Sequence, residues 1–182
     1  MKFSEMPYKR IDMEEVEKEY KSIIERTKNA KSGEEQFEIH REYYKFTADV
    51  QTSMELAMIR HDIDTTDEFY EKESDFYDEV GPIISQYENE YGKVLYDSPY
   101  RDYLESKIGK VTFKNIEIAN KAFDEKIIPL MQEENALSSR YSKLIATAKI
   151  PFEGEVYNLS LMRKFQTCLL YTSPSPRDGL LS

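Results

Sequence analysis

The stretch that decides the fold lies near the amino terminus, where residues 12–27 read DMEEVEKEYKSIIERT. Its apolar residues recur every three or four positions, which is the spacing of one helix face. Asp12 is a good N-cap, because its short carboxylate can accept backbone N–H groups of the first turn. The stripe consists of Met13, Val16, Tyr20, Ile23, Ile24 and Thr27. The pattern predicts an amphipathic helix whose apolar face packs against other helices.

The same spacing continues into two further helices. Ser32 and Glu35 predict a capping box, in which each side chain accepts the other residue's backbone N–H. The helix that follows is expected to end near residues 60–62. Its predicted buried positions include Phe37, Tyr44, Val50, Met54, Ala57 and Met58. Residues 64–68 predict the start of a third helix, and one face of that helix consists of Phe69, Glu73, Phe76 and Val80. Pro82 should kink this helix or divide it in two.

The remaining residues complete an all-α prediction. Ser98 and Pro99 indicate the start of a short helix that ends at Gly109. Residues 113–130 predict one helix bent at Pro129, with a stripe made by Ile116, Ala119, Phe123, Ile127 and Leu130. The last long helix carries Leu137, Tyr141, Leu144, Ile145 and Ala148. Residues 149–158 alternate around a glycine, and Asn158 caps one more turn. The predicted fold is a bundle of long, kinked antiparallel helices with one small β-hairpin near 149–158.

Charge narrows the classes of partner. The 182 residues contain 25 Lys and Arg against 35 Asp and Glu, a net charge of -10. This charge repels phosphate backbones and anionic lipid surfaces, so we expect neither a nucleic-acid nor a membrane partner. No apolar run approaches the roughly 18 residues that cross a bilayer, and the amino terminus has no secretory h-region. The expectation is a cytoplasmic protein.

Candidate metal ligands are scarce. His40 and His61 are the two histidines, and neither has a glutamate three residues before it, since Phe37 and Met58 stand there. A carboxylate-bridged di-iron bundle would need that Glu-x-x-His spacing. His61 is expected at a helix end, where it can stabilise the carboxyl terminus of the helix. The sequence also lacks a His-Glu-x-x-His motif and a phosphate-binding glycine loop. We therefore expect no catalytic, cofactor-binding or metal-binding residue.

Acidic pairs and tyrosines are also expected to be structural. The pairs at 14–15, 34–35, 67–68 and 133–134 should lie on solvated helix faces. The 14 tyrosines are expected at the edges of the core, where the ring is buried and the hydroxyl reaches water.

The carboxyl-terminal residues break the helical pattern. Residues 168–178 resemble the conceptual translation of a transposase-type sequencing adapter, and residues 179–182 would be barcode and primer. We therefore expect the native lobe to span residues 1–165 and treat 166–182 as a non-native, disordered tail. Cys168, the one cysteine of the sequence, lies in this tail.

Several stretches, taken in order, carry a family resemblance. They are FSEMPYKR at 3–10, IRHDIDTTDEFYEKE at 59–73, SPYR at 98–101, EENALSSRY at 133–141, and IPFEGE at 150–155 followed by Asn158, Leu159 and Leu161. Together they resemble the amino-terminal region of M3-family oligoendopeptidases of the oligoendopeptidase F type. The resemblance implies a mostly helical, two-lobed zinc metallopeptidase with a deep channel that admits only short peptides.

In that family two histidines of a His-Glu-x-x-His helix and a later glutamate bind zinc, and the motif's own glutamate acts as general base. None of these residues has a counterpart here. The resemblance therefore implies that residues 1–165 form the amino-terminal helical lobe and that the chain alone is inactive. On this resemblance, zinc and short peptide substrates are expected for the full-length parent protein. The missing catalytic lobe is the expected partner of the amino-terminal lobe.

Two alternatives come from the residues themselves. One is a helical interaction or scaffold module without catalysis, which would bind a partner helix through an exposed Met and Tyr stripe. The other is a bundle with an internal metal, which the missing histidine partners disfavour.

The resemblance also predicts how the isolated chain behaves. Helix faces that pack on the catalytic lobe would be left as exposed apolar patches. The chain expressed alone should bind a hydrophobic dye or self-associate, as dye fluorescence and sedimentation would measure. A monomer that melts in one two-state transition and binds no dye would contradict this expectation.

Overall fold

The computed structural model describes residues 5–165, and these form an all-α bundle with one small hairpin. The helices are α1 (Met13–Asn29), α2 (Gly33–Ile63), α3 (Glu68–Tyr96), α4 (Arg101–Ile108), α5 (Lys110–Ala122), α6 (Ile128–Ala146) and α7 (Leu159–Met162). The antiparallel strands β1 (Ile150–Phe152) and β2 (Glu155–Tyr157) pair Ile150 with Tyr157. The fold class predicted from the sequence is confirmed. The predicted tail, 166–182, lies outside the described residues.

The chain divides into two compact units, the first ending at Ala136 and the second beginning at Leu137. In the second unit, the hairpin turns at Glu153 and Gly154, which have φ values of 51° and 85°. Two successive left-handed residues are the requirement of a type I′ turn. Asn158 then caps α7, its Oδ1 accepting from the Leu161 N–H at 2.8 Å. Within residues 5–165 no helix combines the length and the apolar character that crossing a membrane requires.

The first two helices begin at the residues that the sequence indicates. Asp12 Oδ1 accepts from the N–H groups of Glu14 at 2.9 Å and Glu15 at 3.3 Å. Ser32 Oγ accepts from the Glu35 N–H at 3.2 Å. The reciprocal half of the predicted capping box is wrong, because the Glu35 carboxylate accepts instead from the N–H of Lys31 at 2.6 Å.

Helix α3 is central to the first unit, because it supplies residues to both hydrophobic clusters. One cluster joins it to α1 and α2 and consists of Val16, Tyr20, Val50, Ala57, Tyr77, Val80 and Ile84. The other extends to α4 and α5 and consists of Ile23, Ile24, Ile39, Tyr91, Leu95, Leu104 and Phe113. The clusters confirm the predicted stripe of α1, whose members from Val16 to Thr27 are buried.

Some predicted core positions are wrong. Tyr44 is 71% exposed, Met58 37% and Phe69 55%. In α2, Tyr43 takes the inward position instead of Tyr44 and stacks on Tyr91 with ring centroids 3.7 Å apart. Of the predicted pair Ala57 and Met58, Ala57 is confirmed, because it is fully buried. Adjacent residues of a helix point about 100° apart, so only one of each pair can face the core. Four residues of the predicted apolar stripes that lie on α6 are also exposed, namely Leu130, Leu137, Tyr141 and Leu144.

Two helix boundaries also differ from expectation. The helix predicted at Ser98 begins at Arg101, because Ser98 Oγ accepts from the Tyr100 N–H at 3.0 Å and donates to Gln36 Oε1 at 2.5 Å. The single helix predicted over 113–130 is divided after Ala122. Pro129 lies in the first turn of α6, where a missing N–H breaks no helical hydrogen bond.

The division of α3 expected at Pro82 does not occur, because the helix is continuous from Glu68 to Tyr96. Proline has no N–H, so it cannot bond to the carbonyl of Asp78 four residues earlier. Asn135 of α6 supplies the missing donor, its Nδ2 donating to the Asp78 carbonyl at 3.2 Å. One turn away on α6, Gln132 Nε2 donates to the carbonyl of Glu79 at 2.7 Å. Two amide side chains therefore serve the carbonyls next to the proline.

This pairing predicts a coupling between Asn135 and Pro82. Asn135→Ala should reduce the free energy of unfolding by about 1 kcal/mol, because a carbonyl loses its donor. In a Pro82→Ala background the same substitution should cost much less, since the introduced alanine provides the backbone N–H. Urea unfolding of the four variants measures the coupling. Gln132→Ala is the matched control, because the Glu79 carbonyl keeps its helical partner in both backgrounds. Equal costs of Asn135→Ala in both backgrounds would contradict the interpretation.

Candidate functional site

The two histidines lie apart in the fold and have different surroundings. His40 Nδ1 lies 3.0 Å from the Tyr91 hydroxyl, and burial lowers the pKa of His40. His61 is 7% exposed near the end of α2, with its Nδ1 3.9 Å from Asp62 Oδ1. Across residues 5–165, no three side chains of the His, Cys, Asp and Glu types are grouped so that they could hold a metal ion. The donors within this part of the chain therefore do not fit a zinc site.

The acidic pairs and the tyrosines divide between surface and core. Both members of the pairs 14–15, 34–35 and 133–134 are exposed. Asp67 caps α3, accepting from the N–H groups of Phe69 at 2.9 Å and Tyr70 at 3.3 Å. Not all tyrosines lie at core edges as expected, because Tyr20 and Tyr91 are 0% and 2% exposed.

A buried glutamate anchors the segment that precedes α1. Glu73 of α3 is 4% exposed and accepts both prongs of the Arg10 guanidinium, Nε at 2.8 Å and Nη2 at 2.5 Å. The Tyr8 hydroxyl donates to the same carboxylate. The Arg10 bond is the main cause that holds the pKa of Glu73 below its usual value. The sequence pattern placed Glu73 on the apolar face of α3, and its partners come from more than sixty residues away.

Further hydrogen bonds hold the same segment against α2. Arg60 Nη2 donates to the Met6 carbonyl at 2.6 Å, and Ser53 Oγ donates to the Lys9 carbonyl. Arg60 Nη1 also donates to the Tyr70 hydroxyl at 2.6 Å. Two stretches that carry the family resemblance, 3–10 and 59–73, therefore bind each other. Both stretches contribute to one hydrogen-bond network, which holds the segment before α1 against α2 and α3.

A groove lies between α3 and α5, and we call it the α3–α5 groove. Its volume is about 420 Å³. Apolar side chains make most of its wall, and they include Ile116, Ala119, Phe123, Ile127 and Met131. On α3 the wall contains Gly92, where a Cβ would lie 3.3 Å from Ile116 Cγ2. The missing side chain at Gly92 thus keeps room for Ile116 beside α3.

The lining of this groove also includes polar residues, among them Asn89 of α3 and Asn120 of α5. Asn89 Nδ2 donates to Asn120 Oδ1 at 3.2 Å. Asn89 Oδ1 is buried and has no donor within residues 5–165. Desolvation raises the pKa of the neighbouring Glu88 carboxyl, although part of that residue is exposed. No sequence signal indicated this site, because Asn89 and Asn120 are joined only by the packing of two helices.

The sequence and the fold were compared with known proteins. The profile of the Peptidase M3 N-terminal domain matches residues 3–123. Among curated proteins, no sequence matches significantly. Among solved structures, PZ peptidase A with an inhibitor is 40% identical with a TM-score of 0.87, over 90% of this chain and 29% of its own.

Two further structures give the same result. One, described as oligoendopeptidase F from crystals grown by microfluidic seeding, is 39% identical with a TM-score of 0.88, over 91% of this chain and 29% of its own. The other, a Bacillus anthracis chain assigned as oligoendopeptidase F, is 38% identical with a TM-score of 0.88, over 91% of this chain and 30% of its own. This chain therefore spans less than a third of the structures that it matches.

The anchor of the first segment predicts a pH-dependent loss of stability. Arg10→Met should reduce the free energy of unfolding near pH 7 by about 2 kcal/mol, because it leaves a buried carboxylate without its cation. The loss is limited because the Arg10 side chain is 44% exposed and water screens its charge. In the unsubstituted chain the pKa of Glu73 is lowered by folding. The pair's contribution is therefore complete above the ordinary glutamate pKa of about 4.3 and is lost as the pH falls through the lower folded pKa.

Urea unfolding between pH 7 and pH 3 measures both effects. In Arg10→Met, the free energy of unfolding should no longer show the decrease at acid pH that comes from the pair of Arg10 and Glu73. The control is Arg41→Met, which removes the exposed pair with Glu38 and should change little. If Arg10→Met destabilises no more than Arg41→Met at pH 7, Arg10 does not anchor the segment.

Proposed function

Because the chain belongs to the peptidase M3 family, we propose that it forms the amino-terminal helical lobe of a longer zinc metalloendopeptidase that hydrolyses short peptides inside a deep channel. The observation that carries this proposal is the match of the family profile to residues 3–123. The matched range includes both residues of the anchor, Arg10 and Glu73. The similarity of the fold to PZ peptidase A supports the same assignment.

The catalytic chemistry is proposed for another part of the parent. The sequence has no His-Glu-x-x-His motif, and the donors within residues 5–165 do not fit zinc. The parent's zinc and general base would therefore lie in a catalytic lobe beyond these residues. The chain alone would be inactive, and its helices would form a wall of the channel that excludes folded proteins by size. The catalytic lobe would be its partner. The cytoplasmic location stays a prediction.

A scaffold without catalysis is the alternative function. It is favoured by large apolar side chains exposed on α6, where Leu130, Tyr141 and Leu144 are 63%, 64% and 71% exposed. Exposed apolar surface indicates either a partner or an adjoining lobe. The two functions differ in whether the lobe can support peptide hydrolysis.

A chimera tests the peptidase proposal. Residues 3–165 of this chain would replace the matched 29% of PZ peptidase A, leaving the rest of that enzyme unchanged. We expect the chimera to hydrolyse a quenched fluorescent short peptide and to lose this activity to a chelator. We expect the chimera to be active because the exchanged segments are 40% identical and have the same fold.

Two controls make the result interpretable. PZ peptidase A without its matched segment should show much lower activity, and the present chain alone should show no chelator-sensitive hydrolysis. A chimera that is folded and zinc-loaded but no more active than the truncated enzyme would favour the scaffold function. Chelator-sensitive hydrolysis by the present chain alone would overturn the proposed division of roles.

A further inference from the structure

We propose that residues 137–165, the described part of the second unit, are a docking surface for the parent's catalytic lobe and are stabilised by that contact rather than by a core of their own. The inference rests on the proposed function, which supplies the occupant. It adds which part of the chain meets the lobe and which chemistry the lobe's facing surface has.

The second unit has no buried residue among those that the structure describes. Every residue from Leu137 to Phe165 is exposed or half-buried, and both hydrophobic clusters consist of residues that precede Ala136. Contact with a partner would remove the unit's apolar surface from water. Eight large apolar side chains of the unit are between 38% and 71% exposed, namely Leu137, Tyr141, Leu144, Phe152, Val156, Leu159, Leu161 and Phe165.

The part of α6 after Ala136 has its apolar side chains on one face. Leu137, Tyr141 and Leu144 follow one another at intervals of four and three residues, which places them on the same side of a helix. They are 54%, 64% and 71% exposed. A helix with such a stripe docks into an apolar groove or against a second helix.

The hairpin also lacks support within its own unit. Its two strands pair only with each other in the described part of the chain, and a two-stranded hairpin alone is marginally stable at best. The ring of Phe165 packs against the rings of Phe152 and Tyr157, with centroids 4.8 and 5.1 Å apart. Phe152 and Phe165 nevertheless remain 38% exposed. These three rings form a patch that a further apolar surface would bury.

The unit differs in charge from the chain as a whole. Residues 137–165 contain five Lys and Arg against two Glu, a net charge of +3, although the full sequence carries -10. Lys164 Nζ lies 4.3 Å from the centroid of the Tyr157 ring, so one of these cations borders the aromatic patch. Protein interfaces combine an apolar centre with a polar rim. The occupant should therefore present apolar side chains with carboxylates around them.

The length of the relatives argues for the catalytic lobe as the occupant. The profile of the N-terminal domain ends at residue 123, whereas the similarity to the solved relatives covers 90–91% of this chain. Residues beyond the profile therefore share the relatives' fold. The match takes up only 29–30% of each relative's chain, so most of each relative lies outside it. Contact with that remaining chain explains how the unit keeps the relatives' fold without a core.

Amide hydrogen exchange of the full 182-residue chain is the first test. Because no core protects residues 137–165, their amides should be roughly a hundredfold less protected than those of residues 77–95 in α3. Equal protection of the two ranges would show that the second unit is stable without a partner, which overturns the proposal.

The chimera with PZ peptidase A is the second test, because it joins residues 3–165 to the rest of a solved relative. Exchange in residues 137–165 should be at least roughly tenfold slower in the chimera than in the free chain. Exchange in residues 77–95 should be the same in both proteins, since their protection comes from the first unit.

Two variants locate the docking surface. Leu144→Glu and Tyr44→Glu form a matched pair, because both side chains are 71% exposed, one in the second unit and one in the first. Neither substitution should change the thermal melt of the free chain appreciably, since both residues lie at its surface. In the chimera, Leu144→Glu should remove the added protection of residues 137–165, and Tyr44→Glu should leave it in place.

Peptide hydrolysis by the chimera is measured separately, so the two proposals can fail independently. An active chimera without added protection of residues 137–165 would overturn the docking surface and leave the proposed function standing. An inactive chimera with added protection would contradict the proposed function and support the docking surface. Protection of the free chain by phosphatidylserine vesicles, or by a higher concentration of the chain itself, would identify a lipid surface or a second copy as the occupant and overturn the proposal.

Discussion

The bundle depends on α3 remaining one helix through Pro82. Both hydrophobic clusters draw on α3, with Tyr77 and Ile84 in one and Tyr91 and Leu95 in the other. A break at Pro82 would separate the two clusters, because the two halves of the helix could no longer present one continuous face. The amide of Asn135 compensates for the missing backbone donor, so a polar contact outside the core allows the core to extend along 29 residues.

Much of the fold was predictable because it follows from local chemistry. Asp12, Ser32, Asp67 and Asn158 cap helices through their own backbone neighbours, and the apolar stripe of α1 needs only a 3.6-residue period. The choice of inward residues in α2 was not predictable in this way. Its 31 residues meet different partners along their length, so periodicity cannot decide whether Tyr43 or Tyr44 faces the core.

The candidate sites were less accessible to sequence reasoning, since each joins residues distant in the chain. The burial of Glu73 was visible as a charged residue within an apolar stripe, but Arg10 as its partner was not. In the sequence Asn89 is an ordinary polar residue of an amphipathic helix. The structure pairs its amide nitrogen with Asn120 and shows no donor to its oxygen within residues 5–165. The family resemblance helped only where residues match, and it assigned no role to the α3–α5 groove.

Helix α3 contributes residues both to the buried clusters and to the wall of the α3–α5 groove. Tyr77 and Ile84 pack with α1 and α2, and Tyr91 and Leu95 belong to the cluster that also includes residues of α4 and α5. Ser85, Asn89 and Gly92 recur at three- or four-residue intervals on the face toward α5. Ile116 lines the groove and also packs against the cluster that contains Tyr91 and Leu95, so substitutions there should affect the groove and the core together.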